Sequence, residues 1–138
     1  MKIVYTDMVG DLFHYGHVNA LQQSKSFGDY LIVGVHNDET VQSYKRKPIM
    51  SMEQRIKVIE GCKYVDKVIS NAPLTITKEY LQKHNVDVVS ITDTRPDEQN
   101  KQFYGEIMDK VKKFKYTRTI STSNIINNIK QRIIDKTL

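Results

Sequence analysis

Two histidines lie three residues apart in the segment His14-Tyr15-Gly16-His17. Their imidazole N–H groups can donate hydrogen bonds to phosphate oxygens as negative charge builds up on them. Gly16 has no side chain, so the backbone can approach a ligand closely there. The alternative is a surface turn with two solvated histidines, and the short motif alone does not separate the two. The interpretation of the motif therefore depends on the strands and helices that position it.

The motif follows an apolar segment at Ile3–Tyr5 and precedes a segment of helical spacing at Val18–Phe27. The first segment is typical of a strand, and Gly28 is a typical helix stop for the second. We therefore expect the histidines to occupy a strand-to-helix turn. Free backbone N–H groups and the positive end of the helix dipole favour an anion at such a turn.

A second candidate anion site lies near the C-terminus, where Ser121, Thr122 and Ser123 precede a segment of helical spacing. Three hydroxyls and the free N–H groups of a helix start could surround an anion, and Arg118 could add donors. A cap needs only one hydroxyl, although Ser/Thr clusters are also common in plain surface turns.

Strand-like and helical segments alternate along the chain. The other predicted strands are Leu31–Val35, Val65–Ile69, Val86–Ile91 and Phe114–Tyr116, and the other predicted helices are capped by Ser51 (with Gln54), Thr77 and Ser121 or span Lys101–Val111. This alternation predicts an α/β fold with a five-stranded parallel sheet flanked by helices. The loops that follow the strands would meet at one edge, where ligands bind in such sheets.

The composition narrows the class of protein. A chain of 138 residues predicts a single domain, and one cysteine, Cys62, excludes a disulfide framework and favours a reducing, cytoplasmic location. We find no segment long and apolar enough for a membrane span. The net charge of +5 fits a nucleic-acid surface or a small-anion site. The absence of tryptophan and of a recognisable nucleic-acid motif favours the small anion, with neither nucleic acid nor membrane as partner.

The two motifs and their order resemble the cytidylyltransferase family. The similarity extends from Val4 to Ile129 and includes the segments Gly28–Val35, Tyr44-Lys45, Tyr64–Asp66 and Asn71–Pro73. The resemblance implies a Rossmann-like nucleotidyltransferase fold and a homodimer. It also implies transfer of a cytidylyl group from CTP to a small phospho-alcohol, with Mg²⁺ bound mainly through the CTP phosphates and no dedicated protein metal site.

The resemblance also implies roles for individual residues. His14, His17, Lys45 and Arg118 would be catalytic; Met8, Val9, Asp11, Gly16, Thr92, Asp93, Ser121, Thr122 and Ser123 would bind the nucleotide; Asp7, Lys45, Lys63 and Tyr104 would bind the acceptor.

Several positions depart from the family pattern. The usual Gly-x-Phe-Asp before the histidine motif is Met8-Val9-Gly10-Asp11 here. Arg118-Thr119 directly precedes Ile120, and an ungapped alignment places Tyr116 at the position of the family arginine. Thr92-Asp93 stands where the family usually has Gly-Asp.

The acceptor is predicted from a few positions. Asp7 matches an aspartate of choline and ethanolamine members, and a carboxylate favours an ammonium group. Tyr104 matches an aromatic residue of the amine pocket, whereas Leu74 replaces an aromatic one and weakens a cage for a quaternary ammonium. We therefore predict phosphoethanolamine or a similar amino-alcohol phosphate first and phosphocholine second, with glycerol-3-phosphate as the alternative.

Three further functions stay open on the sequence alone: an adenylyltransferase that uses ATP, a nucleotide-binding module without turnover, and a nucleic-acid binder. Outside the motifs, Arg55 is interpreted as an exposed helix charge, and Cys62 and His84 as structural residues. His36 is predicted to contact the backbone rather than to take part in catalysis.

Overall fold

A computed structural model describes all residues, 1–138, and contains five strands in one parallel sheet. The strands are β1 Ile3–Met8, β2 Tyr30–Val35, β3 Lys67–Ile69, β4 Val88–Thr92 and β5 Val111–Phe114. The helices are α1 Tyr15–Ser26, α2 Asp38–Gln42, α3 Met52–Glu60, α4 Lys78–Lys83, α5 Asp97–Tyr104 and α6 Thr122–Ile134, with a 3₁₀ helix at Gly105–Lys110. The predicted fold class is confirmed.

The strands lie in the order β3-β2-β1-β4-β5. The chain winds outward from β1 to β3 and then crosses back to place β4 beside β1. In sheets of this kind, ligands bind at the carboxyl ends of the strands, at the point where the winding direction changes. Here that point lies between β1 and β4.

Apolar side chains cover both faces of the sheet, as expected for parallel strands that helices flank. Val4, Leu31 and Val33 pack against α1 and α3 on one face. Tyr5 and Ile32 pack with Leu81 and neighbouring residues on the other. Alternate residues of β1 and β2 therefore face opposite cores, which fixes which side chains at the strand ends can reach the site.

The helix caps at three sites agree with the sequence. Ser51 and Gln54 form a reciprocal capping box at the start of α3, and the side chains of Thr77 and Ser121 cap α4 and α6. Such caps satisfy N–H groups that a helix start leaves without partners. Each of these three helices consequently begins where the sequence predicts it.

Several element boundaries differ from the prediction. The first helix begins at Tyr15 rather than Val18, and the short helix α2 occupies a segment predicted as a loop. The helix predicted at Lys101–Val111 is displaced towards the N-terminus and ends at Tyr104. Because Val111 pairs with Val89 in the sheet, the helical spacing yields to strand pairing, and β5 begins three residues before the predicted strand.

None of the helices is both long and apolar enough to cross a membrane.

Candidate active site

A cavity of about 650 Å³ opens at the carboxyl ends of β1 and β4, where the winding of the sheet reverses. Most of the predicted site residues line it: Asp7, Met8, Val9, His14, His17, Lys45, Thr92, Tyr104, Ser121, Thr122 and Ser123. The start of α1 and the start of α6 border the same cavity, so two helix N-termini face one space. This geometry favours the binding of a polyanion.

The two histidines are held by the first turn of α1. His14 is the N-cap, and its Nδ1 accepts a hydrogen bond from the Gly16 N–H at 3.1 Å. The His17 Nδ1 accepts one from the His14 N–H at 3.0 Å. Because a backbone N–H can only donate, both Nδ1 atoms are unprotonated, and each neutral ring carries its proton on Nε2. The cap therefore turns both imidazoles into N–H donors.

The surroundings keep these rings neutral. Burial lowers the pKa of His14. Burial, followed by the nearby His14 and Lys45, lowers the pKa of His17 to about 4. At neutral pH both side chains are therefore uncharged donors, able to stabilise charge that develops on an oxygen without an ionisation of their own.

Gly16 is required by packing within this cap. A Cβ at this position would lie 2.8 Å from Cε1 and 3.0 Å from Nδ1 of His14, and 3.3 Å from Cγ2 of Ile120. A side chain at position 16 would therefore displace the His14 ring, which the Gly16 N–H holds in place. The sequence suggested that Gly16 serves the ligand, and the structure adds that it serves His14.

The hydroxyls at the start of α6 have distinct partners. The Ser121 Oγ accepts from the Asn124 N–H at 3.1 Å, and the Ser123 Oγ accepts from the Arg46 Nη1 at 3.2 Å. The Thr122 Oγ1 donates to the Asp11 carbonyl at 2.8 Å. Since Ser121 and Ser123 act as acceptors, their O–H groups stay free to donate to a ligand.

Cationic side chains on two loops add to the positive potential. Lys45, Arg46 and Arg95 all line the cavity. Burial, and then the neighbouring Arg46, lower the pKa of Lys45. The sequence prediction included Lys45 but missed the two arginines. Arg95 lies in the loop that follows β4, so the rule that binding loops follow strands could have identified it.

One carboxylate, Asp7, lines the cavity beside His36 and Tyr104, and we call these three residues the acidic end. The Asp7 side chain is 11% exposed, and its Oδ1 accepts a hydrogen bond from the Tyr104 hydroxyl at 2.9 Å. Burial raises the pKa of Asp7, whereas the nearby His36, the Tyr104 hydroxyl and Arg95 act in the opposite direction. Cationic groups therefore lie beside both the histidines and Asp7, and Asp7 is the one carboxylate in the lining.

His36 lies at the end of β2, beside Asp7. Its Nδ1 is 3.1 Å from the Ala72 carbonyl, which is the backbone contact that the sequence predicted. The opposite ring nitrogen, Nε2, lies 3.7 Å from Oδ2 of Asp7. The sequence prediction missed this second contact, because nothing in the local pattern shows that the ends of β1 and β2 meet.

The prediction for Arg55 is wrong. The sequence indicated an exposed charge on a helix, but the Arg55 side chain is fully buried. It donates to the carbonyls of Val9, His36 and Met50 and to the Asp38 carboxylate at distances of 2.6 to 3.0 Å. Arg55 thus fixes the ends of β1 and β2 relative to each other.

Asp11 has a supporting position rather than a place in the large cavity. Its carboxylate accepts from the N–H groups of Ile49 and Met50 at 2.8 and 2.9 Å. It lines a smaller neighbouring cavity of about 140 Å³ that also includes Lys45. The loop that carries Lys45 is therefore tied to the histidine motif through Asp11.

Besides Asp11 and Gly16, three more predicted residues lie outside the lining of the large cavity. Arg118 and Lys63 are exposed, and Lys63 packs over the Tyr64 ring. Asp93 accepts from the Tyr116 N–H at 3.0 Å and so holds the chain after β5. Tyr116 does line the cavity, as the ungapped alignment with the family would place it. The roles assigned to Arg118, Lys63 and Asp93 stay predictions.

Comparisons with known proteins agree with this geometry. A family model described as cytidylyltransferase-like matches residues 10–130. The chain is similar to an ethanolamine-phosphate cytidylyltransferase of Dictyostelium discoideum, with 38% identity over 91% of the chain and 36% of the relative. It is also similar to choline-phosphate cytidylyltransferase 2 of Arabidopsis thaliana, with 40% identity over 91% of the chain and 44% of the relative.

Among solved structures, a lipopolysaccharide core biosynthesis protein of Thermoplasma volcanium matches with a TM-score of 0.69 and 26% identity, over 87% of this chain and 99% of that one. The chain spans less than half the length of the two curated relatives. The family match, in contrast, covers most of this chain and both helix starts that border the cavity. The chain therefore belongs to the cytidylyltransferase-like family.

Proposed function

We propose that this chain transfers a cytidylyl group from CTP to a small phospho-alcohol. The observation that carries the proposal is the pair of imidazoles fixed as Nε2–H donors at the start of α1, beside the start of α6 on the same cavity. The curated relatives bear names that specify this type of reaction, with ethanolamine phosphate or choline phosphate as acceptor.

The reaction is an in-line displacement. A phosphate oxygen of the acceptor attacks the α-phosphorus of CTP and forms a new P–O bond. The bond between the α-phosphorus and the bridging oxygen to the β-phosphate breaks, and pyrophosphate leaves with that electron pair. Such a transfer depends on positioning and on neutralisation of charge more than on covalent participation of the protein.

The residues of the cavity fit separate parts of this reaction. The Nε2–H groups of His14 and His17 would donate to oxygens of the reacting phosphate. Lys45 would bridge the phosphates of the two substrates and reduce their mutual repulsion. Ser121 and Ser123, with Arg46, would hold the pyrophosphate at the start of α6, where free N–H groups favour an anion.

We infer the acceptor substrate from the acidic end of the cavity. Asp7 forms no ion pair with a lysine or arginine, so its carboxylate can receive a ligand cation. An amino-alcohol phosphate offers an ammonium at one end and a phosphate at the other, matching Asp7 and Lys45. Leu74 lines the cavity where the family has an aromatic residue, which favours phosphoethanolamine over phosphocholine. Glycerol-3-phosphate would leave Asp7 without a partner.

The remaining parts of the proposal concern the metal, the assembly and the compartment. No group of three or more His, Cys, Asp or Glu side chains is arranged to hold a metal ion. We propose Mg²⁺ bound through the triphosphate, where it would neutralise phosphate charge. We also propose a homodimer in the cytoplasm; the exposed isoleucines 129, 133 and 134 of α6 support a covered surface, and light scattering would test it.

The decisive experiment measures pyrophosphate release with Mg²⁺ and either CTP or ATP. The acceptors are phosphoethanolamine, phosphocholine and glycerol-3-phosphate. We expect turnover with CTP and the highest kcat/KM with phosphoethanolamine. A preference for ATP would identify an adenylyltransferase instead. Thermal stabilisation by CTP without product from any acceptor would identify a nucleotide-binding module.

A further inference from the structure

The acidic end of the cavity contains two acceptors that no residue satisfies. Tyr104 donates to Oδ1 of Asp7, which leaves Oδ2 without a hydrogen-bond donor. Oδ2 faces Nε2 of His36 at 3.7 Å, a separation longer than a hydrogen bond. The two side chains are 11% and 6% exposed, and both line the cavity.

The backbone determines which His36 nitrogen carries the proton. The Ala72 carbonyl can only accept, so the contact of 3.1 Å requires that Nδ1 be the N–H donor. In the neutral ring, Nε2 then carries a lone pair. The main-chain carbonyl of His36 accepts from the buried Arg55, so this residue is also fixed at its backbone. The lone pair therefore has a defined direction, towards Asp7.

His36 differs from His14 and His17 in the hydrogen-bonding role of its Nε2 atom. Backbone N–H groups make His14 and His17 donors at Nε2, whereas a backbone carbonyl makes His36 an acceptor at Nε2. Donors suit phosphate oxygens, and acceptors suit N–H groups. Two acceptors at the same place match a ligand that offers at least two N–H bonds and a positive charge.

We propose that His36 is a specificity-determining residue that, together with Asp7, selects a primary ammonium by accepting its N–H groups. One N–H would donate to Oδ2 of Asp7 and another to Nε2 of His36. A quaternary ammonium has no N–H to donate and would leave both acceptors without a partner. This inference rests on the proposed function, and it adds the residue that distinguishes ethanolamine-type from choline-type acceptors.

The test uses a methylation series at pH 8, above the ordinary titration range of imidazole. The acceptors are phosphoethanolamine and its N-methyl, N,N-dimethyl and N,N,N-trimethyl derivatives, which retain three, two, one and no N–H bonds. In the unmodified protein, we expect kcat/KM to change little with the first methyl group. It should fall about tenfold with the second, when one acceptor loses its donor, and fall again with the third.

Variants of His36 separate the loss of N–H bonds from the added bulk. In His36→Asn, the amide nitrogen can still donate to the Ala72 carbonyl, but the acceptor at the Nε2 position is lost. We expect kcat/KM for phosphoethanolamine to fall about tenfold while that for phosphocholine changes less than about twofold. His36→Gln, which places an amide oxygen near the Nε2 position, should recover part of the loss. His84→Asn, in a histidine outside the cavity, is the matched control.

Three results bear on the inference directly. An equal fall for all four acceptors in His36→Asn, at an unchanged melting temperature, would overturn it. If His36→Asn unfolds, an even decline along the series in the unmodified protein would overturn it. If CTP yields no product with any acceptor, the proposed function fails. Calorimetric binding of phosphoethanolamine and phosphocholine to the unmodified protein then decides, and equal affinities for the two ligands would overturn the inference.

Discussion

The two ends of the cavity are built in different ways. The proposed phosphate end consists of two helix starts, at His14 and Ser121, where neighbouring residues in the chain cap a helix and line the cavity. The proposed amine end consists of Asp7 from β1, His36 just after β2 and Tyr104 from α5. Local chain geometry creates the first, and the topology of the sheet creates the second. A short motif can therefore reveal one half of a site while the other half stays hidden.

The largest effect should come from the phosphate end. We expect His17→Ala to lower kcat at least about 100-fold, because it removes a donor that acts on developing charge. The protein should keep its melting temperature within a few degrees, and His84→Ala should retain activity. A kcat within threefold of the unmodified protein would show that the cap at α1 is structural only.

The low pKa of His17 leads to a second prediction, which concerns how the stability of the fold depends on pH. Because the folded chain binds this proton only near pH 4 and the unfolded chain binds it near pH 6.5, the unfolded chain binds more protons between these values. The contribution of the neutral His17 side chain to the free energy of unfolding is fully present above pH 6.5 and is lost as pH falls towards 4. We expect a loss of about 2 kcal/mol, after allowance for solvent screening of the partly exposed ring.

Urea unfolding at several pH values measures this loss. The matched variant His17→Asn can still accept the hydrogen bond from the His14 N–H but does not titrate. Its stability should fall less than that of the unmodified protein between pH 6.5 and pH 4. Parallel curves for the two proteins would contradict a buried neutral imidazole.

At the amine end, Asp7→Asn removes the charge that faces the acceptor. We expect kcat/KM for phosphoethanolamine to fall about tenfold or more, while the KM for CTP changes little, because a hydrogen bond to a charged group is lost. Asp109→Asn removes a carboxylate outside the cavity and should have no effect. An equal loss for phosphoethanolamine and glycerol-3-phosphate would argue against an amine-binding end.

The smallest effect concerns the pyrophosphate side, where two arginines can be compared. Arg46→Ala should raise the KM for CTP about fivefold, because Arg46 lines the cavity and contacts Ser123. Arg118→Ala should change it less than twofold, since Arg118 is exposed and outside the lining. Steady-state kinetics with varied CTP would detect the reverse order, which would restore Arg118 to the role that the family resemblance implies.

The sequence predicted more of the scaffold than of the site. Cap residues such as Ser51, Thr77 and Ser121 act within one helical turn, so their pattern is sufficient to place a helix start. The error at the fifth strand arose where Val111 pairs with Val89, a contact that local spacing does not contain. Helix α5 was placed four residues too late, although Pro96 followed by Asp97 and Glu98 is a typical helix start.

Arg55 illustrates the same limit for a charged residue. An arginine on a helix is usually solvated, and nothing in its neighbours along the chain indicates otherwise. It is buried here because carbonyls from the ends of β1 and β2 and the Asp38 carboxylate converge on its guanidinium. Such convergence requires the sheet to be formed, since a buried charge is tolerated only where hydrogen bonds and a counter-charge surround it.

The sequence is sufficient to predict the alternation of strands and helices, the helix caps and two donor-rich helix starts, because these depend on residues within one or two turns of each other. The folded chain was needed to show that Asp7, His36 and Tyr104 meet, that Arg55 is buried and that Arg118 lies outside the cavity lining. These facts depend on which strands are neighbours and on which face each residue lies. The strand order β3-β2-β1-β4-β5 sets both.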